Sequence, residues 1–206
     1  MTNVRVGLIG VGRFGRLHLA VLRQTPGCSV EAIADCDSRA LRRVAREARI
    51  RTIHADAREL IRRTDIDAVD IVSDEASHGK LVIEALKAGK HVFVEKPLAT
   101  RAIEADRIVR EAERSGRIVM VGNISRFSQP YVALKRRADA GELGQIGIIR
   151  AKRDFSRFWF EFFGKRVHTV YESGIHDLDL ILWFAKGRCE EVHAVQTRLS
   201  GNRYPD

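Results

Sequence analysis

Three glycines, Gly10, Gly12 and Gly15, stand in the pattern G-x-G-x-x-G directly after an apolar run and at the start of an amphipathic one. In that setting each glycine has a separate task. Gly10 permits a tight turn, Gly12 lets a ligand's phosphates approach the backbone, and Gly15 lets the following helix lie close on the preceding strand. The start of the helix offers unpaired N–H groups and the positive end of a dipole to those phosphates, with Arg13 and Phe14 in the first turn beside them. Asp35 follows Gly15 by 20 residues, at the end of the next apolar run. A carboxylate there accepts hydrogen bonds from ribose hydroxyls, so the residues predict a dinucleotide site. The charge of Asp35 favours NAD over NADP, because it faces the position of a 2'-phosphate. Arg39, four residues on, can offset that repulsion, and NADP stays open. Glu95 and Lys96 precede Pro97 at the end of another short apolar run. In an open α/β sheet this is where ligands sit, and it delivers Lys96 to the cofactor cleft. A surface lysine before a turn proline is the alternative.

The elements that position these residues follow from hydrophobic periodicity. Short β-branched runs alternate with longer amphipathic segments over the first 122 residues, the pattern of βαβ units around a parallel sheet. Strands are expected at 4–9, 30–34, 68–72, 91–94 and 118–121, with a short one near 52–53. The run at 68–72 reads as buried on both faces. Helices are expected at 13–24, 38–49 with Ser38 as N-cap, 56–63 with Asp56 as N-cap, 77–88 stopped by Gly89, and 100–115 closed by Gly116. This is a complete doubly wound Rossmann sheet, domain 1–122. Beyond Gly122 the texture changes. A helix is expected at 129–140, a longer strand at 146–155, a helix at 175–185 and a strand at 191–198, making an apparently incomplete second domain, 123–206.

Composition narrows the classes. The chain has 206 residues, 45% hydrophobic and 31% charged, which suits a folded protein of one large and one small domain. No apolar run approaches the roughly 20 residues that span a bilayer, and the chain enters its first strand without a charged n-region. No membrane association is expected, and the expected location is cytoplasmic. The net charge of +9 is spread over nearly every expected helix as arginines interleaved with acids, so no nucleic acid is expected as partner. Cys28, Cys36 and Cys189 are odd in number and far apart, predicting neither disulfides nor a metal cluster, and buried, inert thiols are expected.

The chain resembles the glucose-fructose oxidoreductase, inositol dehydrogenase and rhizopine-catabolism (Gfo/Idh/MocA) family. The resemblance is carried by G-x-G-x-x-G, IDAVDIV, the helix with His78, and above all AGKHVFVEKP. It continues through GNISRFSQPY, AGELGQIGIIRAKRDF and ESGIHDLDLILWFAKG, and so covers essentially the whole chain. It implies an NAD(P)-dependent dehydrogenase that moves hydride between a nicotinamide cofactor and a sugar or cyclic polyol. It also implies a second α/β domain with an open, largely antiparallel sheet for substrate binding and oligomerisation, and a homo-oligomer in the full-length form. Family members continue well past the point where this chain stops, which implies a fragment or a shortened reading frame.

The resemblance implies three catalytic residues, Lys96, Glu172 and His176. Histidine, with a reference pKa of about 6.5, suits a general base for the hydroxyl proton. Lys96 would stabilise the developing charge on the substrate oxygen, and Glu172 would orient His176 or Lys96. The family's D-x-x-x-H pattern here reads Glu172-Ser173-Gly174-Ile175-His176, with the acid one methylene longer. Asp177 is expected to face solvent or a neighbouring loop, and Asp179 to support His176. A second departure lies after the fourth strand, where the family's T-P pair is replaced by Ser73-Asp74-Glu75. Ser73 is taken as a cofactor contact. The two acids face away, or select a cationic or hydroxyl-rich substrate, or accompany loss of catalysis. Two other functions stay open: a non-catalytic NAD(P)-binding sensor, and a reductase of imines or other double bonds.

Overall fold

The structure is a computed structural model that describes residues 3–154, 158 and 169–197. The chain divides into two compact units, Met1–Gly122 and Asn123–Asp206. In the first, strands β1 (Val4–Ile9), β2 (Cys28–Ala34), β3 (Thr52–His54), β4 (Ala68–Ile71), β5 (His91–Val94) and β6 (Val119–Val121) alternate with helices. These are α1 (Arg13–Leu22), α2 (Ser38–Ala48), α3 (Ala57–Ile61), α4 (Glu75–Lys87) and α5 (Ala102–Ser115). The strands form one parallel sheet in the order β3-β2-β1-β4-β5-β6.

Strand period sets two cores. Leu8 and Ile33 pack with Leu19 of α1 and Leu41, Val44 and Ala45 of α2 on one face. Their neighbours in sequence, Ile9, Ala32 and Ala34, join β4, β5 and helices α3, α4 and α5 on the other. No helix among the described residues is long and apolar enough to cross a membrane.

Several local expectations need correction. Asp37, not Ser38, caps α2, its carboxylate accepting from the amides of Arg39 and Ala40. Helix α4 starts two residues early because Asp74 caps it, accepting from Ala76 N at 3.1 Å. Cys36 and Cys189 are exposed and Cys28 is half-buried. Cys36 sits in the loop between β2 and α2, and Cys189 lies beyond the last helix among the described residues.

The second unit begins with a 3-10 turn (Ile124–Phe127) and α6 (Gln129–Asp139). A π-helical turn (Val170–Gly174) then runs directly into α7 (Ile175–Ala185). The strands expected at 146–155 and 191–198 are not formed over the described residues 146–154 and 191–197. A strand needs a ladder partner, and none of the described residues pairs with these segments, which leave Ile148 and Val195 more than four-fifths exposed.

The apolar run at 68–72 is interrupted by Asp70, which is buried at 4% exposure on the α1 side of the sheet. His18 of α1 answers it: Nδ1–H donates to Asp70 Oδ2 at 3.0 Å, and Nε2–H reaches Glu95 Oε1 at 3.3 Å. The Phe93 ring of β5 packs edge-on against the imidazole. The hydrogen bond to Asp70, then that to Glu95, pushes the His18 pKa up to about 9, against the opposing pull of burial. Burial raises the Asp70 carboxyl above its usual value despite the imidazolium beside it.

A folded-state pKa above the unfolded value of about 6.5 stabilises the fold fully below pH 6.5 and loses that contribution as pH rises through about 9. The wild type is therefore expected to exceed His18→Gln in unfolding free energy most at about pH 6. The gap should narrow by up to about 3 kcal/mol by about pH 9.5. Urea denaturation of both proteins at the two pH values measures it, and a constant gap refutes the charged cluster.

Candidate cofactor cleft and active site

The glycine turn is built as its spacing predicts. Gly10 has φ +93°, in the left-handed region, and a side chain there would collide with the Val72 carbonyl. A Cβ at Gly15 would strike the Gly10 carbonyl, so only glycine lets α1 sit this close to β1. Gly12 differs: a Cβ there meets nothing within 4 Å. Its backbone faces open space, as a phosphate's approach requires. Gly10 N donates to Ala34 O at 2.8 Å, locking the turn against the end of β2.

Asp35 lies just beyond β2, its carboxylate aimed by two backbone amides. Val11 N donates to Oδ2 at 2.7 Å and Asp37 N to Oδ1 at 2.8 Å. Each oxygen keeps a lone pair for a further donor. The turn and the carboxylate share a cleft of about 540 Å³ with Ala34, Ser73, Asp74 and Leu81 among its walls. That cleft opens at the carboxyl ends of the strands, where β1 separates β2 from β4. The residues present therefore fit a dinucleotide: open backbone for the pyrophosphate, helix amides behind it, and an oriented acid for the ribose. Arg13 and Phe14 open α1, both exposed, Phe14 at 48%.

Ser73 Oγ pairs with Ser77 Oγ at 2.6 Å, and both residues line the cleft. Asp74 also reaches the wall, while its carboxylate caps α4; Glu75 in the first turn of α4 is exposed and is not part of the lining. The acidic pair is thus accounted for by helix initiation. His78 of α4 is buried at 1% exposure. Its Nδ1 lies 2.7 Å from Pro97 O and its Nε2 3.1 Å from Ser73 O, so one ring joins the segments after β4 and β5.

Glu95 and Lys96 follow β5, and the Lys96–Pro97 peptide is cis. Burial pushes the Glu95 carboxyl up, but the hydrogen bond and charge of His18, with the Lys96 amide, outweigh it and hold it below the usual value. Lys96 N–H donates to Glu95 Oε2 at 3.1 Å. Gly122 lies close against the other side of that carboxylate, where a Cβ would come 2.7 Å from Oε1. Sequence reasoning missed His18 and Asp70. The available signal was an acid inside an apolar strand, which needs a buried partner.

In the second unit Glu172 occupies the π-helical turn and His176 the first turn of α7. Four residues apart on one continuous helical segment, they project from nearly the same face. π-Turns of this kind recur at functional sites. Asp177 is held by Arg153 through bonds of 2.8 and 2.7 Å, a contact with a neighbouring loop. Asp179, expected to support His176, accepts from Asn123 at 3.0 Å and from Arg126 at 2.8 and 2.6 Å. It anchors the segment that opens the unit.

The comparisons with known proteins bear on both units. Residues 4–123 match the family described as an oxidoreductase family with an NAD-binding Rossmann fold, and residues 131–205 match the GFO/IDH/MocA C-terminal domain. The chain is 30% identical over 192 residues to a myo-inositol 2-dehydrogenase of Thermotoga maritima, covering 93% of this chain and 58% of that protein. It is 34% identical over 201 residues to inositol 2-dehydrogenase 1 of Saccharopolyspora erythraea, covering 96% and 59%. The chain thus spans a little over half the length of these relatives. Among solved structures it is similar to scyllo-inositol dehydrogenase from Lactobacillus casei with bound NAD(H) and scyllo-inositol. That match has a TM-score of 0.84 and 26% identity and covers 90% of this chain and 57% of that one. With more than half its length matched by the N-terminal profile alone, the chain belongs to the Gfo/Idh/MocA oxidoreductase family.

Proposed function

We propose that the protein is an NAD-dependent dehydrogenase that oxidises a ring CH–OH group of an inositol or a related sugar. The observation that carries this is the Asp35 carboxylate, fixed by the amide of the glycine turn inside a cleft of the right size, in a chain whose relatives are named inositol dehydrogenases. In this reading residues 1–122 hold the cofactor. Gly10, Gly12, Arg13, Phe14 and Gly15 receive the pyrophosphate, Asp35 the adenosine ribose, and Ser73, Glu95 and Lys96 the nicotinamide half. Residues 123–206 serve substrate binding and self-association, and the open, largely antiparallel sheet expected there needs strand partners outside the described residues.

The cofactor, when bound, supplies the hydride acceptor. The chain's own residues handle the proton and the charge. His176 takes the proton from the substrate hydroxyl, for which it must be neutral. Lys96 donates a hydrogen bond to the same oxygen, an interaction that strengthens as negative charge develops there. Glu172, one turn from His176, orients the imidazole and favours its protonated form once the proton has moved. Asp35 discriminates against NADP, since its charge and the 2'-phosphate would share one end of the cleft.

Binding is tested first. Gly12→Val fills the open space before the turn and should weaken NADH binding at least about a hundredfold, roughly 2.7 kcal/mol, measured by calorimetry. Asp35→Ser should weaken NAD binding about tenfold or more and narrow the gap to NADP. Undiminished NADH affinity in Gly12→Val would remove the cofactor assignment.

Turnover is tested by NADH formation with inositols, aldoses and sugar acids. Lys96→Ala should lower kcat by about a thousandfold or more while weakening NADH binding far less, by no more than about tenfold. His176→Ala should do the same and abolish the acidic limb of the pH profile. Glu172→Asp restores the family's usual acid and should keep activity within about tenfold. Full activity in a Lys96→Ala, His176→Ala double variant sinks the mechanism and favours a sensor.

A further inference from the structure

Apart from the cofactor contact given to Glu95, the cluster of half-buried His18, buried Asp70 and half-buried Glu95 takes no part in the chemistry above, yet it lies between the two parts of the cofactor unit that the chemistry needs. Helix α1 begins as the phosphate-binding turn, and His18 stands only three residues beyond Gly15. Its imidazole bridges two carboxylates from two different strands, Asp70 of β4 at 3.0 Å and Glu95 beyond β5 at 3.3 Å. The second of these is not a free end. Glu95 Oε2 accepts the backbone N–H of Lys96 at 3.1 Å, and Oε1 takes the space that a side chain at position 122 would fill, since a Cβ there would come within 2.7 Å of it. A continuous path of hydrogen bonds therefore runs from α1 through His18 and Glu95 to the main chain of Lys96.

The geometry points to His18 as a positioning residue for Lys96: by holding the Glu95 carboxylate against the Lys96 amide, it sets the turn that presents the lysine and ties it to the helix that begins at the phosphate turn. This rests on the reading of Lys96 as the residue that stabilises the substrate oxygen.

The chemistry of the link argues for more than packing. Three ionisable side chains within hydrogen-bond reach on a sheet face cost desolvation energy that apolar residues would not, and the apolar layer on that face is supplied by Leu8, Leu19 and Ile33. An ion pair placed only to stabilise could end at Asp70. The second carboxylate reaches instead to the residue next to Lys96. His18 faces Asp70 from β4, Glu95 from the end of β5 and the uncharged Phe93 ring from β5. Its raised pKa, about 9, keeps both ring nitrogens as donors at neutral pH.

The test reads Lys96 directly. In the NADH-bound protein, amide hydrogen exchange at Lys96 is compared with that of Val119 to Val121, which report on the sheet. His18→Gln should speed exchange at Lys96 at least about tenfold and leave the sheet amides unchanged. Should that variant loosen the whole sheet, Glu95→Ala, which spares the His18–Asp70 pair, must release the Lys96 amide by itself. Unchanged Lys96 exchange in a variant with a protected sheet overturns the proposal.

A turnover arm separates this from the reading beneath it. His18→Gln should lower kcat about tenfold with the KM for NAD unchanged, and should cause no further loss when added to Lys96→Ala. Equal losses in both backgrounds overturn action through Lys96. Undiminished turnover in Lys96→Ala alone would instead strike the dehydrogenase mechanism, and the exchange arm would still decide whether His18 fixes the turn.

Discussion

The position of β1 between β2 and β4 is the constraint on which the cofactor unit depends. Parallel strands joined by right-handed crossovers must place successive helices on one face while the sheet grows in one direction, and on the other face once the direction reverses. The chain reverses at β1, so α1 and α2 cover one face and α3, α4 and α5 the other, as the two separate cores record. Loops leaving β1 and β4 then part in opposite directions. The gap they leave is the cleft, and the glycine turn and Ser73 both line it.

The same constraint explains the polar cluster. On the α1 face the apolar layer of α1 and α2 is built over β1 and β2. Asp70 and Phe93 point to that side while Val69, Ile71, Val92 and Val94 point to the other. A charged group there lies at the margin of an apolar layer rather than inside one, which lowers its desolvation cost without abolishing it. His18 of α1, whose ring nitrogens both donate when protonated, reaches both carboxylates from that margin.

Much of this was legible in the sequence, for identifiable reasons. Strand and helix order followed from period alone, and the glycine spacing fixed the turn because Gly10 and Gly15 admit no Cβ. What escaped was side-chain competition at element ends. Both Asp37 and Ser38 can cap a helix, and only the fold decides that Asp37 points at the free amides. Asp74 and Glu75, read as a departure at the cleft, turn out to begin α4. Asp70 was hidden by its apolar neighbours, since a strand pattern records which residues alternate and not which distant side chain answers an acid. The segments 146–155 and 191–198 have strand composition, but composition supplies no ladder partner, and over the described residues they form no strand.

A hydride-transfer site has to hold its cofactor and its charge-stabilising group in one frame, because an error of an ångström between them is costly. In the mechanism proposed for this chain the two are far apart in sequence: the phosphate turn lies at residues 10–15 and the lysine at 96. The sheet brings their strands near each other, with β4 alone between β1 and β5. Backbone ladders fix strand positions, but the turns that follow them have more freedom, and it is in those turns that the functional groups sit. Two histidines, His78 buried and His18 half-buried, act on that freedom from opposite faces of the sheet. His78 of α4 bridges the carbonyls of Ser73 and Pro97, and His18 of α1 bridges the carboxylates of Asp70 and Glu95. Each imidazole joins the end of β4 to the end of β5, so the Glu95-Lys96-Pro97 turn is held through a side chain on one side and a main-chain carbonyl on the other. A turn clamped at both edges holds the Lys96 main chain in one direction, and under the proposed role of Lys96 that is the preorganisation that electrostatic stabilisation of an oxyanion requires.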